Sequence, residues 1–227
     1  LSFDDEGDRV IMTIDSPTGP GDVYSVDLKN NQLVRWTESE TGGLESSNFV
    51  APLRIFYPTF DQINDDSRRI AAFYYKPKGA GIYPTVIYIP MDTNSQYRPV
   101  FSPLIQYWVK ELKLAVIVPN LRGSTGYGKS FQELDNGSKR IHLIKDIGAL
   151  LDWIQKRPEL DSDHIGIYGN YLAMASMSAY PSSIQAGIYE AKISNFATFL
   201  EQANESERAA LRQEYGDETD PQIREIF

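Results

Sequence analysis

The sequence predicts an α/β protein: a sheet of parallel strands covered by helices on both faces, preceded by a small antiparallel β unit. Three observations carry that reading. Residues 9–15 (RVIMTID) and 22–28 (DVYSVDL) alternate apolar with polar side chains, the pattern of half-buried strands. Residues 114–119 (LAVIVP) are continuously apolar, as a strand buried on both faces must be. Strand-like runs then alternate with a helical repeat over 143–155, which builds a layered sheet.

In chain order, the first two strands are separated by Pro17, Gly19, Pro20 and Gly21, because proline fixes φ and glycine accepts positive φ. Residues 32–37 (QLVRWT) follow an Asn30-Asn31 turn and complete a meander. Residues 38–50 are polar, rich in Gly and Ser, and without period, so a boundary is placed near Gly43, dividing the chain into 1–43 and 44–227. Beyond it, 70–76 and 84–90 (PTVIYIP) read as strands, 102–112 as a helix and 114–119 as the buried strand. The next helix, 143–155, puts Ile144, Ile147, Leu150, Leu151 and Ile154 on one face. A strand at 164–168 (HIGIY), a helix at 171–179, a strand at 184–189 and polar helix from 195 to 227 follow.

Composition narrows the function. The 227 residues are 41% hydrophobic and 12% aromatic, enough for a sizeable core. A net charge of −9 argues against nucleic acid or an anionic membrane surface as partner. Without cysteine there is no disulfide, thiol nucleophile or Cys-ligated zinc, and His142 and His164 alone cannot form a histidine-rich metal site. No apolar run approaches the roughly 20 residues that span a bilayer. The amino end, LSFDDEGD, lacks the order of a signal peptide, so the chain is expected to be soluble or to be given without its targeting segment. An absence of cysteine fits cytosol and periplasm equally.

Residues 123–130 (GSTGYGKS) match the phosphate-cradling pattern G-x-x-x-x-G-K-[ST]. That chemistry needs a strand running directly into the loop and a long helix directly out of it. Here Asn120, Leu121 and Arg122 intervene, and Asn136-Gly137 breaks the segment that follows, so the glycines are expected to shape a loop. No G-x-S-x-G occurs. Where a nucleophile elbow belongs, the 164–168 strand meets the next helix through Gly169, Asn170 and Tyr171 only. Ser176 and Ser178 fall inside that helix, where a hydroxyl is expected to bond back to the preceding turn. His142 and His164 read as surface histidines, and acidic runs such as 4–6 and 214–220 as solvated faces.

Three sequence words in fixed order are more specific: VIVPNLRGSTGYGKSF at 116–131, KDIGALLDWI at 145–154 and IGIYG at 165–169. Together they resemble the peptidase domain of the prolyl oligopeptidase family of serine peptidases. Residues 16–24 and 33–40 look like the end of the β-propeller that precedes the hydrolase in that family, and 216–221 (GDETDP) like a helical stretch within it. The resemblance implies a terminal propeller-like blade at 1–43 and the first part of an α/β-hydrolase sheet from 44 onward. It implies hydrolysis of short peptides through a serine acyl-enzyme, with no metal or nucleotide cofactor, and it accounts for 123–128 as a structural loop.

Against that pattern the sequence departs at both halves of the site. The family's Y-G-G-S-Y-G-G-Y turn is here Tyr168-Gly169-Asn170-Tyr171, without the serine. Its H-G-G-P oxyanion wall is here Pro90, Met91, Asp92 and Thr93, and a carboxylate is the wrong charge beside a developing oxyanion. Residues 141–143 (IHL) also differ, and the residues run to Phe227, before the positions expected for the family's aspartate and histidine. Either pieces have been left out or the chain is a relative that has lost catalysis; the like-for-like exchange at 90–93 favours the second, because no omission produces it. A non-catalytic interaction module and, more remotely, a P-loop NTPase are the other readings. The sheet edge left open at 184–189 leads to an expectation of self-association.

Overall fold

In the computed structural model, which describes residues 1–92, 94–190 and 196–221, the alternating strands build two sheets. Strands β1 (Ser2–Phe3), β2 (Arg9–Ser16), β3 (Gly19–Asp27) and β4 (Leu33–Arg35) lie antiparallel in sequence order. The break between β2 and β3 is shorter than the Gly and Pro residues suggest, since Gly19, Pro20 and Gly21 belong to β3. The pairing shifts register between Ile14 and Ser16, and this irregularity accommodates a proline inside the strand. Asp22 fastens the segment that follows: Thr37 Oγ1 donates to it at 2.9 Å and Ser39 N at 2.8 Å.

The second sheet has the order β10-β9-β7-β8-β6-β5. Its members are β5 (Leu53–Ile63), β6 (Asp66–Tyr75), β7 (Tyr83–Tyr88), β8 (Ala115–Asn120), β9 (Leu160–Gly169) and β10 (Ala186–Tyr189). Strands β10, β9, β7 and β8 are parallel, whereas β6 runs antiparallel to β8 and β5 to β6, so the sheet is mixed rather than wholly parallel. The crossovers are helical: α1 (Pro103–Lys110) before β8, a short α2 (Lys129–Gln132) and α3 (Ile141–Gln155) before β9, and α4 (Tyr171–Ala179) before β10. Ser102 caps α1 by accepting from Ile105 N, with Pro103 at the first helical position.

The buried strand β8 shows how both faces are filled. Ala115 and Ile117 join the core under α3 and α4, while Val116 and Val118 join Ile105 and Val109 of α1 on the other face. Each such aliphatic side chain contributes roughly 1.5–3 kcal/mol when fully buried. On α3 the buried stripe is Leu143, Ile147, Leu150, Leu151 and Ile154, with Ile144 only half-buried, so the apolar face is turned toward Leu143. The polar carboxyl-terminal segment splits into α5 (Phe196–Gln202) and α6 (Glu205–Tyr215), because Asn204 caps α6 by accepting from Glu207 N at 2.9 Å. Asn195 and residues 222–227, also read as helix from the sequence, lie outside the described residues.

Gln106, buried on α1, links the two sheets: it accepts from Val50 N and donates to Val50 O and to Pro17 O, all at 2.9 Å. Among the described residues no helix is long and apolar enough to cross a membrane.

Candidate functional site

Strand β9 ends at Gly169 and α4 begins at Tyr171, so one residue, Asn170, makes the whole turn. Gly169 has φ +151°, and a Cβ there would stand 2.4 Å from the Ile89 carbonyl oxygen; only glycine lets β9 pass so close to the end of β7. Asn170 is buried and fully engaged. Its Oδ1 accepts from Leu172 N at 3.0 Å, capping α4, and its Nδ2 donates to Pro90 O at 3.2 Å and Met91 O at 3.3 Å.

The structure thus brings the two sequence-predicted positions together, Gly169, Asn170 and Tyr171 on one side and Pro90 and Met91 on the other. The carbonyl oxygens of Pro90 and Met91 take the Asn170 side-chain amide, and Pro90 has no amide hydrogen to give an oxyanion, which needs donors. Asp92 is exposed and folds back on its own loop, accepting from Asn94 N at 3.1 Å and from Ser95 Oγ. Thr93 lies outside the described residues.

Tyr171 leads to a cluster that the sequence does not announce. Its hydroxyl accepts from Arg140 Nε at 2.9 Å. Arg140 is buried, with Nη1 3.4 Å from Asp135 and 3.3 Å from Glu214, and lies over the Tyr215 ring at 4.3 Å. One guanidinium therefore gathers the loop after β8 and the starts of α3 and α4 with the end of α6. Both Asp135 oxygens are buried without a hydrogen-bond partner among the described residues, although Arg140 is close. Burial pushes the Asp135 carboxyl up to about 6; Arg140 opposes this and Glu214 adds to it.

That shift has a sign in stability. A carboxyl whose folded value lies above its unfolded value favours the folded state when protonated, an advantage complete below about pH 4 and lost as pH rises through about 6. Asp135→Asn is therefore expected to flatten the pH profile, gaining on the order of 1–3 kcal/mol relative to the parent between pH 4 and 7.5. Urea midpoints at the two ends of that range check it, and parallel profiles would refute it.

The Gly-rich loop is built around another arginine. Arg122 is 1% exposed and Asp146 is fully buried; Arg122 Nε donates to Asp146 Oδ2 at 2.8 Å and Nη2 to Oδ1 at 2.6 Å. Asp61 accepts from the same Nη2 at 3.1 Å, Thr59 Oγ1 donates to Asp146 at 2.5 Å, and the guanidinium lies 4.4 Å from the centre of the Phe60 ring. The helix leaving the loop, α2, has four residues, and the Lys129 side chain is 88% exposed and pairs with Glu133 at 3.7 Å. Gly123 has φ +89°, and its missing Cβ makes room for the Asp135 carboxylate. These contacts give the loop a packing role.

Neither histidine reaches the β9 turn. His142, half-buried on α3, meets the Phe60 ring edge at 5.1 Å, and burial, then Arg122 and Lys145, lower its pKa. His164 is exposed in the middle of β9, five residues before Gly169, with Nδ1 2.8 Å from Asp161. Ser176 is sealed inside α4, and its hydroxyl bonds neither the preceding turn nor any other described group, contrary to the expectation from sequence. Ser124 is likewise buried, and Ser178 is exposed. Among the described residues no cluster of His, Cys, Asp or Glu could hold a metal ion.

Comparison with known proteins places this geometry. The sequence model of the prolyl oligopeptidase family matches residues 99–225. Prolyl oligopeptidase A of Amanita bisporigera is 23% identical over 210 residues, which are 89% of this chain and 27% of that protein. A puromycin-hydrolyzing peptidase of Mycobacterium tuberculosis superposes with a TM-score of 0.79 at 18% identity, covering 92% of this chain and 33% of the other. The acylaminoacyl peptidase of Pyrococcus horikoshii gives 0.77 at 18%, covering 96% and 35%. The chain thus spans about a third of the length of these relatives, and its mixed sheet beside an antiparallel sheet is consistent with their fold class. With more than half of its residues matched by the family model, the chain belongs to the prolyl oligopeptidase family.

Proposed function

We propose that this domain is a non-catalytic member of its family, a hydrolase scaffold that binds rather than turns over peptide. The observation that carries the proposal is Asn170, the single residue of the β9 turn, buried and committed to the α4 cap and the carbonyls of Pro90 and Met91. Acyl-enzyme chemistry needs a hydroxyl at that turn, a base within about 3 Å of it and donors aimed at the oxyanion. The turn offers a side-chain amide in place of the hydroxyl, and Pro90 brings no amide hydrogen to the facing wall. Peptide is the substrate class that the relatives' names indicate, and it is carried here as the class of ligand.

The test is labelling of the 227-residue chain by a serine-directed fluorophosphonate, read by intact mass, beside release of a chromophore from prolyl and alanyl substrates. No stoichiometric adduct and no turnover are expected. An adduct that disappears on Ser→Ala replacement at Ser124, Ser176 or Ser178 would overturn the proposal.

A further inference from the structure

A second opening lies away from the β9 turn. Between α3, the β5–β6 hairpin and the segment after α4 runs a groove of about 770 Å³. Lys145, Lys156 and Arg157 line it, against one carboxylate, Asp152. All three cationic side chains are exposed, and none has an ion-pair partner among the described residues, in contrast to the buried Arg122 and Arg140. Two are steadied by rings: Lys145 Nζ lies 5.1 Å from the centre of the Phe60 ring, and the Arg157 guanidinium 4.2 Å from that of Trp153. Unpaired positive charge is thus concentrated in one groove of a chain whose net charge is −9.

The spacing of these charges selects the ligand. Lys145 lies within α3 and Lys156 at its carboxyl-terminal end, and at 1.5 Å of rise per residue they are about 16 Å apart along its axis. No single phosphate or carboxylate bridges that distance. An extended peptide, at about 3.3 Å per residue, covers it with five residues and can offer a carboxylate to each end. Between the two lysines the groove is lined by Gly148, Ala149 and Asp152, and the Tyr180 ring packs against Gly148.

From the cavity, the unpaired cations and their spacing, we propose that this groove binds an acidic peptide segment in extended form along α3. The proposal is independent of whether the β9 turn is catalytic. Anisotropy of a fluorescein-labelled glutamate-rich hexapeptide, titrated with the full chain at low salt, tests it. Binding is expected to weaken steeply as salt rises from about 0.05 to 0.5 M and by at least about tenfold in the triple variant K145E/K156E/R157E. Lys29→Glu, in the turn between β3 and β4 and outside the groove lining, should leave affinity within about twofold. Melting curves establish that the triple variant is folded, and the milder K145Q/K156Q pair, expected to weaken binding by about threefold or more, serves if it is not. Absence of binding by the parent chain, equal binding by the folded variants, or tighter binding of an oligonucleotide or of free phosphate would each overturn the proposal.

Discussion

Asp146→Ala is expected to destabilise the chain by about 3–5 kcal/mol, the cost of leaving a buried charge without its partner. Arg122 cannot shed its proton: burial pulls its pKa down, but hydrogen bonding and attraction to Asp146, then to Asp61, raise it overall. With Asp146 gone, the guanidinium would stay charged and enclosed, sharing with Arg68 the more exposed Asp61. Thr59 would lose its acceptor at the same time. The double variant Arg122→Met, Asp146→Leu should recover much of the loss, because it buries no charge. Urea midpoints of the two singles and the double, compared as a cycle, check this; simple additivity of the singles would refute it.

Gly169→Ala comes second, at an expected loss of about 2–4 kcal/mol from overpacking and backbone strain together. A new methyl would meet the Ile89 carbonyl oxygen at 2.4 Å and the Ile89 side chain at 2.7 Å, in a φ of +151° that L residues rarely adopt. Relief requires β9 to move away from β7, which breaks the Ile89 N to Tyr168 O bond, now 2.8 Å long. Denaturant melts measure the loss, and a variant within about 0.5 kcal/mol of the parent would show that the turn relaxes freely.

The order of elements was legible where period and burial agree. The 171–179 helix and the apolar 114–119 strand follow directly from local pattern, and so does the short connection between strand and helix at Asn170. Strand β5 could not. Its run LRIFYPTFDQI buries Tyr57 and Thr59 while Phe56 and Phe60 stay exposed, and it contains Pro58, which a strand paired on one side only can tolerate. The strand β6 was read at 70–76, but its antiparallel direction was not, because a strand's direction is set by its neighbours and not by its own residues. The Arg122 and Asp146 pair had one signal: Asp146 sits beside Leu143, Ile147 and Leu150 on the apolar face of α3, and a carboxylate on such a face implies a buried cation. The Arg140 cluster had none, since its members come from three separate stretches of chain, 135–140, 171 and 214–215, and meet only in the folded state.

The single-residue turn at Asn170 also sets which sequences lie one mutation away. Asn170→Ser would place a hydroxyl at a helix N-cap, where serine accepts from the second or third amide of the helix as Asn170 now accepts from Leu172 N. The new hydroxyl would be held by the helix it caps and not aimed outward over the strand ends. Every point replacement at Gly169, Asn170 or Tyr171 keeps the same chain length between β9 and α4, so a raised elbow is out of reach by substitution. Only added residues could build one, so single exchanges do not connect the short turn to a raised one.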